Sequence, residues 1–141
     1  MFRVPRTPLA AAFAMAVAAA APAAAAARPV PWDRLVVTVS DDFGTTHHYT
    51  LSCRPARGTH PEPRAACHRL GVLRGPIGPV PRDQMCSMIY GGPQTARVTG
   101  YWHGVHVDQR YDRVNGCEID RWRQMEPVLP APAAAEPVRE H

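Results

Sequence analysis

Six consecutive residues, Met85-Cys86-Ser87-Met88-Ile89-Tyr90, hold the combination with the clearest chemical use in this chain of 141 residues. A cysteine is flanked by bulky apolar side chains inside a stretch otherwise broken by proline and glycine. A disulfide at Cys86 would hold the local backbone extended and leave Met85, Met88, Ile89 and Tyr90 as apolar contacts. Extended backbone fixed in that way is the shape a protease cleft accepts, so the run reads as a cross-linked bait loop. The competing reading is that Met85 and Met88 are core residues capping a sheet edge.

Ser87 also raises the question of nucleophilic catalysis, since histidines and Asp108 or Asp112 are available as partners. It sits in Cys-Ser-Met, however, without the Gly-x-Ser-x-Gly elbow that exposes a catalytic serine. So small a domain also has little room for a buried triad, and no enzymatic activity is expected. A zinc site would draw on the same histidines and the cysteines, but there is no C-x-x-C knuckle and no following H-x-x-x-H. No metal and no cofactor is expected.

The four cysteines, Cys53, Cys67, Cys86 and Cys117, all follow an N-terminal segment with the features of an export signal. Arg3 and Arg6 precede an apolar, alanine-rich run from Leu9 to Ala21, and small residues at Ala25 and Ala27 allow cleavage before Arg28, with cleavage after Ala21 or Ala23 as alternatives. Alanine is weakly apolar and the run is short for a membrane span, which needs roughly 18–20 strongly apolar residues. The expectation is a signal peptide at 1–27, no membrane anchor, and a secreted, extracellular protein. An even cysteine count in an oxidising compartment implies two disulfides, and spacing alone leaves all three pairings open. Were the pairing sequential, the two loops would contribute roughly 3 and 3.5–4 kcal/mol in the chain-entropy model.

All 16 basic residues are arginine, against 12 acidic ones. Removing Arg3 and Arg6 leaves 14 against 12, a net charge of +2. The arginines are scattered singly, which describes a solvated surface rather than a nucleic-acid footprint. After the signal, residues 28–33 read as a flexible arm, 34–126 as one folded domain, and 127–141 as a disordered Pro/Ala-rich tail.

Several elements must position the loop. Arg34 to Ser40 is rich in β-branched residues, and Asp41-Asp42-Phe43-Gly44 after it is turn chemistry. Thr46 to Cys53 alternates Tyr49, Leu51 and Cys53 against His48, Thr50 and Ser52, so the two runs form an antiparallel hairpin with one buried face. Thr59-His60-Pro61-Glu62 has the capping-box pattern ahead of a short helix carrying Ala66, Cys67, Leu70 and Leu73. Pro63 restricts its first turn and Gly75-Pro76 ends it. Thr95 to Trp102 and Val105 to Tyr111 are two more strands, joined tightly at His103-Gly104. Ile119, Trp122 and Met125 then share one face of a second helix. The fold class is α+β, an antiparallel sheet of about five strands covered on one face by two short helices.

The sequence resembles the Streptomyces subtilisin inhibitor family. The resemblance rests on Leu51-Ser52-Cys53 with proline two residues later, Gly58-Thr59-His60-Pro61 leading to Ala66-Cys67, and Met85 to Tyr90. Gly100-Tyr101-Trp102-His103-Gly104 and Asn115-Gly116-Cys117-Glu118 complete it, over about residues 34 to 120. It implies disulfides Cys53 to Cys67 and Cys86 to Cys117, a five-stranded sheet with two helices, and a homodimer formed sheet to sheet. It implies a secreted inhibitor of subtilisin-like serine proteases, with trypsin- and chymotrypsin-like enzymes as further targets. The reactive bond would be Met88-Ile89, with Met88 at P1, Ile89 at P1′, Ser87 at P2, Cys86 at P3 and Met85 at P4. Asn115 would hydrogen-bond the loop carbonyls from behind.

Two departures from the family pattern concern the loop itself. Ser87 stands where proline is common, so φ is no longer fixed there, and Gly91-Gly92 replaces a stiffer Asp-Pro pair. Both predict a looser loop. A non-inhibitory binding module on the same scaffold, or a transglutaminase substrate using Gln84, Gln94, Gln109 or Gln124, is the alternative reading. The absence of lysine argues against a lysine-donor role.

Overall fold

The β-branched run of the first hydrophobic segment forms β1 (Arg34–Ser40), whose Leu35, Val37 and Val39 all point into the core. The computed structural model describes residues 32–132, together with Pro5, Pro8 and residues 10–22. β1 is one of the two inner strands of a four-stranded antiparallel sheet, ordered β2-β1-β3-β4, with β2 at Thr46–Ser52, β3 at Thr95–Trp102 and β4 at Val105–Tyr111. The register sets Leu35 opposite Leu51 and Gly100, and Val37 opposite Tyr49 and Val98. One face is therefore apolar across the sheet, as the period-two pattern requires. The sheet has four strands among the described residues where the resemblance implies five.

Two helices cover that face. α1 (Pro63–Leu73) buries Ala66 and Leu70, and α2 (Gly116–Met125) buries Trp122 and Met125. The capping box expected ahead of α1 does not form. Thr59 is instead engaged with β2, its hydroxyl accepting from the Thr50 amide at 2.8 Å, and Glu62 takes the cap position without a side-chain bond. Pro63 lies in the first turn of α1 rather than obstructing it, where its missing N–H is no loss. The helix stops at Arg74 in the left-handed region, with the Gly75 amide donating to Leu70 at 2.8 Å. The β3–β4 turn is the tight one expected, with His103 and Gly104 at φ 49° and 77°, as a two-residue hairpin requires.

Both ends of the domain are more ordered than composition suggests. Trp32 accepts the Gly104 amide at 2.8 Å on its carbonyl, and Asp33 is buried, accepting from the His103 amide at 2.6 Å and from Arg54. These two residues of the expected arm are thus hydrogen-bonded to the fold, while 28–31 lie outside the described residues, as does the expected cleavage junction. The expected disorder from Pro127 also fails at its start. Val128 and Leu129 are fully buried, and Trp122 donates to the Pro130 carbonyl at 3.0 Å. His60 accepts the Glu62 amide at Nδ1, which leaves its proton on Nε2 to donate to the Val128 carbonyl at 3.0 Å. Composition averaged over 127–141 hides these two apolar residues; 133–141 lie outside the described residues. Among the described residues no helix is long and apolar enough to cross a membrane.

Arg121 joins the irregular Gly75–Pro81 connection to the rest. It is nearly buried, donates to the carbonyls of Gly78 at 2.6 Å and Arg110 at 2.8 Å, and lies 4.3 Å above the Tyr111 ring. Tyr111 in turn donates to the Ile77 carbonyl at 2.8 Å, and burial pushes its phenol above the ordinary range.

Because Leu129 is a core residue, Leu129→Ala should destabilise the domain by about 2–4 kcal/mol, read from denaturant unfolding; a change below about 0.5 kcal/mol, normal for a surface site, would show that the segment is not part of the core.

Candidate functional site

The segment between α1 and β3 carries no helix or strand from Gln84 to Gln94, and its ends are fixed by opposite means. On the N-terminal side, Cys86 is bridged to Cys117, with Cα atoms 5.4 Å apart. The next residue, Ser87, has its carbonyl held by the Gly116 amide at 3.0 Å. Two successive loop residues are thus fastened to two successive residues at the start of α2. On the C-terminal side the Gly91 amide donates to the Arg113 carbonyl at 2.7 Å.

Between these anchors, and at Met85 just before the first of them, the side chains are exposed. Met88 is 91% exposed and Met85 94%, with Ile89 and Tyr90 also exposed. The reading of Met85 and Met88 as core residues therefore fails. Exposed apolar side chains scattered singly are ordinary on a protein surface; here four lie within six residues on a backbone tied at both ends. Gln84 to Gln94 contains no charged residue, so the loop offers apolar contact and backbone polar groups and little else.

The supports of the loop are themselves fixed. Asn115 is the N-cap of α2, its side-chain oxygen accepting from the Glu118 amide at 3.0 Å. Among the described residues its amide makes no hydrogen bond to a loop carbonyl. That direct support is supplied by its neighbour Gly116; a Cβ there would meet the Ser87 hydroxyl, which could rotate away, and only ordinary contacts otherwise. On the other side Gly91 is closely packed, since a Cβ would lie 2.7 Å from Ile119 and 3.1 Å from Arg113. The glycine expected to loosen the loop is therefore where it closes onto α2. Behind it, buried Gln94 donates its amide to Asp42 and accepts from Arg113 at 3.3 Å, joining the loop base to the β1–β2 turn. That placement leaves the Gln94 amide engaged rather than displayed.

The turn is rigid in its own right. The Asp41 carboxylate accepts the Phe43 and Thr45 amides, each at 2.9 Å; although desolvation pushes the other way, these bonds hold its carboxyl below the ordinary value. The Arg97–Asp108 ion pair on the open sheet face similarly holds Asp108 low. Both shifts belong to the scaffold. The Ser87 hydroxyl has no histidine or carboxylate partner among the described residues, and its carbonyl is the group in use. The cysteines of the other bridge, Cys53 and Cys67, tie the end of β2 to α1. A groove of about 510 Å³ opens beside Trp102 and His106, at the opposite end of the sheet from the loop.

The site is thus a disulfide-braced loop with exposed apolar side chains on a small α+β scaffold. Residues 33–115 match the subtilisin inhibitor-like family, and the chain belongs to that family. It is 38% identical over 118 residues to a candidate serine protease inhibitor of Streptomyces avermitilis, covering 83% of this chain and 80% of that one. Identity to a subtilase-type protease inhibitor of Streptomyces fradiae is 42% over 72 residues, covering 48% of this chain and half of that one. Among solved structures, Streptomyces caespitosus sermetstatin in complex with Bacillus licheniformis subtilisin matches with a TM-score of 0.48 at 30% identity, over 70% of this chain and 97% of that chain.

Because contact with α2 requires a glycine at position 91, Gly91→Ala should lower stability by about 1–3 kcal/mol in denaturant unfolding; wild-type stability would mean that the loop base is not closely packed.

Proposed function

We propose that this protein inhibits subtilisin-like serine proteases by presenting Met88-Ile89 as the bond the enzyme attempts to cut. The observation that carries the reading is the contrast within one segment: backbone fastened at Cys86, Ser87 and Gly91, and side chains at Met85, Met88, Ile89 and Tyr90 exposed. A chain already held in its bound shape loses little conformational freedom on docking, and that saving appears as affinity. Met88 as P1 is flexible and apolar, suited to a broad apolar pocket, and Met85 as P4 would fill a second one. If the bond is cut, the Cys86–Cys117 bridge and the Gly91 anchor keep the new termini beside each other, so resealing competes with release.

The chain is proposed to be exported, with residues 1–27 removed as a signal peptide, since two disulfides form and persist in oxidising compartments. A homodimer is proposed through the open face of the sheet, where Val36 and Tyr101 are exposed between threonines and the Arg97–Asp108 pair.

Two measurements test these statements. Titrating the mature, disulfide-intact protein against a subtilisin should give stoichiometric inhibition with slow cleavage at Met88-Ile89. Met88→Asp should weaken it at least about 100-fold, because the pocket loses an apolar side chain and would have to desolvate a carboxylate. Undiminished inhibition by Met88→Asp would move binding to another surface and favour a partner-binding role. Sedimentation should report twice the mass of one mature chain, and Tyr101→Arg should shift it toward a single chain; a monomeric wild type would remove the dimer.

A further inference from the structure

The loop methionines differ in one respect from the methionine of the core. Met85 and Met88 are 94% and 91% exposed, whereas Met125 is fully buried. All four cysteines are in disulfides and none is free, so no thiol competes for an oxidant. The most oxidisable accessible groups of the folded domain are therefore two thioethers, both inside the segment proposed to enter a protease.

We propose that Met88, with Met85 beside it, is an oxidation site through which a peroxide-class oxidant switches the loop off. The inference rests on the inhibitory reading above. The sulfur lone pair attacks one peroxide oxygen, a sulfur–oxygen bond forms as the oxygen–oxygen bond breaks, and the proton on the transferred oxygen passes to the departing one, which leaves as water from hydrogen peroxide or as an alcohol from an alkyl hydroperoxide. Sulfur loses two electrons and the peroxide gains them. The product, methionine sulfoxide, is polar and is returned to the thioether by methionine sulfoxide reductases, one for each sulfoxide epimer.

The structure gives this chemistry a selective effect. The Met88 side chain is almost wholly solvated, and the bonds that brace the loop run through the Ser87 carbonyl and the Gly91 amide. Adding an oxygen to its sulfur therefore disturbs neither the core nor the bracing. In an apolar protease pocket, by contrast, the sulfoxide oxygen is a desolvated acceptor without a partner, which is costly. Oxidation removes the contact and leaves the fold.

The test treats the mature, disulfide-intact protein with dilute hydrogen peroxide, maps added oxygen by peptide mass spectrometry, and measures thermal unfolding and subtilisin inhibition before and after. The expected result is one oxygen on each of Met85 and Met88 and none on Met125, an unchanged unfolding midpoint, and an inhibition constant raised roughly tenfold to hundredfold. Methionine sulfoxide reductases should reverse the loss. Met88→Leu should lose only the smaller part owed to sulfoxide at Met85, whatever its starting constant, and Met85→Leu should still lose most of its inhibition on treatment. Equal oxidation of Met125, an inhibition constant unmoved by full loop oxidation, or a Met88→Leu variant that loses as much as wild type would overturn the proposal. If the untreated protein does not inhibit at all, the inhibitory reading fails and takes this one with it; inhibition that survives oxidation overturns this proposal alone.

Discussion

The covalent tie between Cys86 and Cys117, together with the hydrogen bond from Gly116 to the Ser87 carbonyl, is the constraint on which the rest of the structure bears. Neither would order the loop if the start of α2 were free to move. It is not free: Asn115 caps it, Trp122 and Met125 anchor its inner face in the core, and Arg121 clamps it to β4 and the connection before the loop. The order of an exposed segment is thus inherited from a buried one. A loop without these ties would visit many shapes, and the freedom lost on docking would weaken binding.

The two bridges divide the labour of a small domain. Cys53–Cys67 fastens the end of β2 to α1, and Cys86–Cys117 fastens the loop to α2. Each helix, only 11 or 10 residues long, is short for independent stability and is held by packing plus one covalent link. The C-terminal segment completes the arrangement by placing Val128 and Leu129 in the core. Small domains bury a limited fraction of their surface, so such additions matter.

At the loop itself the backbone and side chains have opposite fates. Backbone groups of Ser87 and Gly91 are consumed by the scaffold, leaving the residues between them unable to relax far. The apolar side chains remain in water, where association with a complementary apolar surface is favourable. Gly91 contributes to this, since it permits a close approach to Ile119 and Arg113 that a Cβ would crowd.

Much of this was legible in sequence. The four strands were readable from β-branched and alternating patterns because such patterns report burial on one face, a local property of the strand. The cysteine count gave two bridges, and the apolar run around Cys86 marked the loop. Local signals misled where a residue's partner is distant. Thr59 looked like a helix cap but bonds β2, Val128 and Leu129 were lost in a Pro/Ala-rich average, and the glycine at 91 looked like slack. Which methionines are exposed, which carbonyl Gly116 holds, and that Arg121 joins three segments follow from contacts between residues far apart in the chain. The chain's own residue order determined its strands, its half-cystines and the apolar run around Cys86; only the tertiary structure decided that this run is exposed and braced from behind, because bracing depends on the position of α2 relative to the sheet.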